Sequence, residues 1–146
     1  MSTQKYDRVA IVTLQDNTSS ALASGARAFA ATTSPYANDS NLNFWGDIEL
    51  AVTYGTAPTA GKLLQVYAVP TLDGTNYADG DSSVAPDVGL RIGAVAVRNV
   101  TSAQRLVIRN CLLPPHSIKL LLENGADQQI SSAWTMKIVA FRTQSV

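Results

Sequence analysis

The stretch Ile48-Glu49-Leu50-Ala51-Val52-Thr53-Tyr54 alternates without a break. Ile48, Leu50, Val52 and Tyr54 fall on one side of an extended chain, and Glu49, Ala51 and Thr53 fall on the other. A two-residue period belongs to a half-buried strand, because a helix needs its apolar residues three and four apart. The same period recurs on both sides of this stretch. In "WTMKIVAF", Trp134, Met136, Ile138 and Ala140 take one face, and Thr135, Lys137, Val139 and Phe141 the other. "SIKLLLEN" turns Ile118, Leu120 and Leu122 inward and Lys119 and Glu123 outward. "VAIVTL" (9–14), "LLQVYAV" (63–69), "LRIGAVAV" (90–97) and "RLVIRNCL" (105–112) add runs rich in Val and Ile, the residues that favour strands. Turn formers separate the runs: "QDNTSS", "TTSPYANDSN", "YGTAPTAG", "LDGTNYADGDSSVAPD", "LPPH" and "ENGADQQ". "ALASGARAFAA" (21–31) is alanine-rich but broken by Gly25 and is read as a further strand.

About eight short strands in one domain call for an architecture that manages its edges. An antiparallel β-sandwich of the jelly-roll kind fits the count. Residues 9–146 are expected to form this single domain, with residues 1–8 a flexible arm that has no core partner in sight. Pro114 and Pro115 cannot donate to a ladder, so a strand should end by Leu113 and another begin near Ser117.

The totals narrow the function. Of 146 residues 46% are apolar, enough for a sizeable core, and only 15% are charged, against about a quarter in an average chain. Eleven basic residues balance eleven acidic ones, which argues against a general nucleic-acid binder with its positive field. No run approaches the ~20 apolar residues of a membrane-spanning helix, and no secretory leader is recognised, so no membrane partner and a cytoplasmic site of synthesis are expected. Cys111 is the single cysteine, so no intrachain disulfide can form.

Catalytic chemistry finds little to work with. His116 is the single histidine, and its neighbour Ser117 points away from it on an extended chain. Cys111 sits in an apolar run and reads as a small buried side chain. One Cys and one His cannot make a zinc site in one chain. Asp47 and Glu49 share a strand face without a partner across a cleft, and no stretch has the spacing of a phosphate-binding loop. The chain is therefore expected to be no enzyme and to carry no cofactor.

The longest inter-strand segment, "TLDGTNYADGDSS" (71–83), holds Asp73, Asn76, Asp79 and Asp81. Counted from Asp73, the third and fifth positions of a calcium loop are Thr75 and Tyr77. Counted from Asp79, Val84 stands where that loop needs glycine and Leu90 where it needs glutamate. The segment reads instead as an acidic tip with two Asp-Gly turns. Residues 63–89 contain four acids and no base, and residues 90–122 contain five bases and no acid. That asymmetry suggests either complementary contacts between subunits or pairing within the chain. Tyr36 and Tyr77 lie in loops and are the aromatic candidates for a partner contact, whereas Tyr54 and Trp134 belong to the core pattern. Lys5, Tyr36, Asp73, Tyr77, Asp79 and Asp81 are thus the candidate interaction residues.

Two loop phrases carry a resemblance. A strand running into "P-x-x-D-G-T-N-Y-x-D-G" (Pro70–Gly80) and "L-P-P" (Leu113–Pro115) leading into a strand that ends in "E-N" resemble the capsid decoration, or cement, proteins of tailed bacteriophage virions. The resemblance runs from about Trp45 to the end of the sequence. It implies a jelly-roll-like, non-enzymatic protein on the outer capsid surface that stabilises the shell. The implied partners are the major capsid protein and further copies of the chain, as a dimer or trimer. A carbohydrate-binding or adhesion module is the competing expectation, built on the sandwich and the loop tyrosines.

Overall fold

In the computed structural model, which describes residues 4–145, ten strands pair into two antiparallel sheets. They are β1 (Gln4–Arg8), β2 (Val12–Gln15), β3 (Arg27–Phe29), β4 (Tyr36–Ala37), β5 (Trp45–Val52), β6 (Leu63–Pro70), β7 (Arg91–Ala96), β8 (Gln104–Leu112), β9 (Ser117–Asn124) and β10 (Thr135–Ser145). One helical turn, α1 (Asn38–Asn41), precedes β5, and a 3-10 turn at Val88–Leu90 precedes β7.

The ten strands occupy eight positions. On β10, Phe141 faces Arg8 of β1 and Met136 faces Gln15 of β2, while Trp45 and Leu50 of β5 line the opposite edge. β1 and β2 are therefore two pieces of one position. The same holds across the sandwich, where β3 and β4 share one edge of β9 and β6 takes the other. The first sheet runs (β1/β2)-β10-β5-β8 and the second (β3/β4)-β9-β6-β7. First pairs with last, second with seventh, third with sixth and fourth with fifth. A long hairpin rolled over on itself gives this order, so the fold is a jelly roll.

The alternation predicted from the sequence places the core. Ile48, Leu50, Val52 and Tyr54 from β5 and its continuation meet Met136, Ile138 and Ala140 of β10, Leu106 and Ile108 of β8, and Ile118, Leu120 and Leu122 of β9. Each of these is at least nine-tenths buried. Burying one such large aliphatic side chain stabilises by about 1.5–3 kcal/mol. Gly93 marks where the edge strands β7 and β8 close one flank: a Cβ there would run into Ile108 Cγ2 and stand 3.4 Å from Cys111 Sγ.

Three expectations change. Residues 1–8 do not stand apart as an arm, because Gln4–Arg8 form β1 and Asp7 receives two hydrogen bonds from Arg142 at 2.9 and 3.0 Å. Residues 1–3 of that arm lie outside the described residues. The strand expected over 21–31 shrinks to Arg27–Phe29, since Gly25 adopts φ +73°, a left-handed turn that ends extended pairing. The acidic tip is no free projection. After Pro70 the chain folds back over the outer face of the second sheet, where Tyr77 and Leu90 pack with Phe29 on buried Tyr67, Val69 and Leu121.

Candidate functional site

Strand order decides which loops share an end of the roll. The segments 38–44, 71–90 and 113–116 emerge at the end defined by Trp45, Pro70, Arg91, Leu112 and Ser117. Among the described residues ten large apolar side chains are exposed, and seven belong to this end: Leu42, Phe44, Trp45, Leu72, Val84, Val88 and Leu112. Leu72 is 84% exposed and Val88 74%. The loops of the opposite end contribute none of the ten.

These side chains are held on braced backbone. The Asn38 amide donates to the Asn43 carbonyl at 2.9 Å and to the Pro114 carbonyl at 2.7 Å, and its oxygen accepts from the Asn43 N–H at 2.9 Å. The segment bearing Leu42 and Phe44 is thereby tied to the double-proline corner. Tyr36, expected as a surface contact, is only 3% exposed and receives a 3.2 Å hydrogen bond from the Asn43 amide. Burial pushes its hydroxyl pKa up. It supports this end from inside and offers no surface to a partner.

The carboxylates of the β6–β7 segment divide into two kinds. Asp73 accepts from the N–H groups of Asn76 and Thr75 at 2.7 and 2.8 Å, from the Asn76 amide at 2.7 Å and from the Thr71 hydroxyl at 3.1 Å. Asp81 accepts from the N–H groups of Ser83 and Val84 at 2.6 and 2.7 Å and from the Ser83 hydroxyl at 2.8 Å. These bonds favour the ionised form, so both carboxyls titrate below the ordinary range. Asp73 and Asp81 are thus turn-forming groups that shape the segment. Asp79 is exposed, and no such bonds engage its carboxylate among the described residues. Tyr77 is half-buried under Lys119. Lys5 is exposed on β1, opposite Gln144 in register.

Sequence reasoning set Asp47 and Phe141 on outward strand faces but did not bring them together with Trp45, Asn110 and Leu112 on the outer face of the first sheet. Phe141, Trp45 and Leu112 stand side by side there across β10, β5 and β8. Asp47 comes next along β5, opposite a two-residue bulge at Arg109–Asn110, and accepts the Asn110 N–H at 2.9 Å. Asn110 takes φ +54°, a left-handed conformation that asparagine tolerates better than most residues. Cys111, the residue after the bulge, is buried, and burial together with the nearby Asp47 charge pushes its thiol up to about 11. It is therefore an unreactive thiol at neutral pH. Among the described residues, no three His, Cys, Asp or Glu side chains gather into a metal-binding group, and no helix is long and apolar enough to cross a membrane.

No protein-family model matches the chain, and no curated protein matches it. Solved structures give distant likenesses. A decameric BFDV capsid protein aligns over 100% of this chain and 98% of its own, at 9% identity and a TM-score of 0.29. The Mud Crab Dicistrovirus structure aligns over 98% and 72%, at 10% identity and 0.29. The N-terminal cellulose-binding domain of the Cellulomonas fimi β-1,4-glucanase C aligns over 93% and 77%, at 9% identity and 0.24. All three scores are low, and the jelly-roll assignment rests on the strand register described above.

Proposed function

We propose that the chain is a non-enzymatic structural protein of a phage virion, docked on the outside of the capsid shell through the apolar end of its jelly roll. The observation that carries this reading is the concentration of seven exposed large apolar side chains at one braced end. A concentration of exposed apolar side chains in one region marks an interaction site. The loop phrases at Pro70–Gly80 and Leu113–Pro115, whose resemblance to decoration proteins was noted above, lie at the same end. The partners on this reading are the major capsid protein and neighbouring copies of the chain, assembled as a dimer or trimer in the finished particle. Docking a rigid, pre-braced surface costs little ordering entropy, which suits a part that must hold a shell against internal pressure.

Co-sedimentation with undecorated capsids tests the reading. Wild-type protein should pellet with the shells. A Leu72→Asp, Val88→Asp double variant should stay in the supernatant with an unchanged melting profile, because both side chains are exposed. Wild-type protein that never pellets with shells, or a double variant that pellets equally well, would overturn it.

A further inference from the structure

The outer face of the first sheet holds a depression of about 530 Å³ lined by Trp45, Asp47, Asn110 and Phe141. Its volume falls within the ~300–1,000 Å³ of small-molecule sites. Trp45 and Phe141 are register partners on adjacent strands, so both side chains leave the same face of the sheet and together supply the aromatic wall of the depression. Trp45 is 41% exposed although it lies in a regular strand. Asp47 uses one oxygen for the Asn110 N–H. Its other oxygen and the Asn110 side-chain amide have no hydrogen-bond partner among the described residues. The bulge that sets Asn110 in a left-handed conformation directs this polar pair to the foot of the aromatic wall.

We infer that this depression binds a neutral oligosaccharide. A sugar ring presents an apolar C–H face that stacks on Trp45 and Phe141. Its hydroxyls donate to the free oxygen of Asp47 and exchange hydrogen bonds with the Asn110 amide. The alternatives fit less well. An apolar side chain of a protein partner would cover Asp47 and Asn110 without satisfying them, which costs about 1–3 kcal/mol per group. An anion would meet the Asp47 carboxylate at close range. A cation would meet a face that already carries Arg8, Arg105 and Lys137 against Asp47 and Glu49. An uncharged polyol satisfies the polar pair without adding charge. The depression shares Trp45 with the apolar end, but Leu72 and Val88 do not line it and Asp47 and Asn110 are not among the apolar side chains of that end, so the two readings are tested by different residues.

The test is an array of neutral hexose and N-acetylhexosamine oligosaccharides, followed by tryptophan fluorescence with the best binder. The chain has two tryptophans, and Trp134 is 2% exposed, so acrylamide quenching reports chiefly on Trp45. A bound oligosaccharide should blue-shift the emission and reduce quenching. Trp45→Ala, Asp47→Asn and Asn110→Gly should each weaken binding more than 10-fold. The last keeps the left-handed backbone, so its folding is secure even if another variant melts early. Absence of signal for every neutral glycan, a signal confined to charged glycans, or binding unchanged in Asp47→Asn and Asn110→Gly would overturn the inference. Capsid co-sedimentation unaffected by Asp47→Asn and Asn110→Gly would separate it from the shell-docking reading.

Discussion

The Lys119 Nζ lies 4.1 Å from the centroid of the Tyr77 ring and 5.8 Å from that of the Phe29 ring. Lys119 thereby pins the β6–β7 segment onto the outer face of β9. Such contacts are worth about 0.5–1 kcal/mol at exposed sites. Tyr77→Ala should therefore leave the global melt nearly unchanged and open the segment locally. Native-state hydrogen exchange at Ala78, whose N–H donates to the Pro70 carbonyl at 3.0 Å, should speed up while core amides such as Leu120 do not. Equal acceleration at both would show that the segment opens only with the whole fold.

Leu120→Ala should destabilise by ~2–5 kcal/mol, the usual cost of emptying a packed aliphatic site. Leu120 is 2% exposed within the main cluster. A urea midpoint shifted to match, with an unchanged slope, checks it; a shift inside measurement error would place Leu120 outside the core.

How far the sequence could be read depends on whether a residue's surroundings follow from local period. The alternations through Ile48–Tyr54 and Trp134–Ala140 name their buried faces correctly, because strand period is a local property. From Ile48 that phase also sends Trp45 and Asp47 outward, so half of the Trp45 depression was legible. Leu112 was not: the inward phase of Leu106 and Ile108 would turn it in, and the bulge at Arg109–Asn110 shifts the phase so that Cys111 and Leu113 go in instead. Tyr36 sits in a two-residue strand, too short for any period to show among its turn-forming neighbours. The covering of the second sheet did leave a signal. "VYAV" at 66–69 and "LLL" at 120–122 are unbroken apolar runs, which mean burial on both faces. Which segment does the covering is a tertiary fact, and only the fold-back of residues 71–90 supplies it.

Gly93→Ala should destabilise by about 1–3 kcal/mol, the range for forcing a methyl group into packed surroundings. The added Cβ would collide with Ile108 Cγ2 in a 6%-exposed side chain that has no room to retreat. A companion Ile108→Leu moves the branch from Cβ to Cγ and so removes the Cγ2 methyl that the new Cβ would strike. If the collision is the cause, the double variant should be more stable than the sum of the two single losses predicts, which a double-mutant cycle of urea midpoints measures. Strict additivity would put the defect elsewhere.

Acid should loosen the β6–β7 segment through Asp73 and Asp81. Both carboxyls titrate lower in the folded chain than when free, because their turns' N–H and hydroxyl groups bond the ionised form. Below an ordinary carboxyl pKa of about 3.9 the unfolded chain takes up protons that the folded chain resists. Their contribution is therefore complete above that pH and is lost as pH falls through the folded values. Asp73→Asn and Asp81→Asn keep one acceptor oxygen but cannot ionise. The doubly substituted protein should be less stable than the parent at pH 6, and the gap should narrow as pH falls from 4 to 2. Urea midpoints measured across that range decide it. A gap that stays constant down to pH 2 would mean that the two carboxylates brace their turns through shape alone and that their charge contributes nothing.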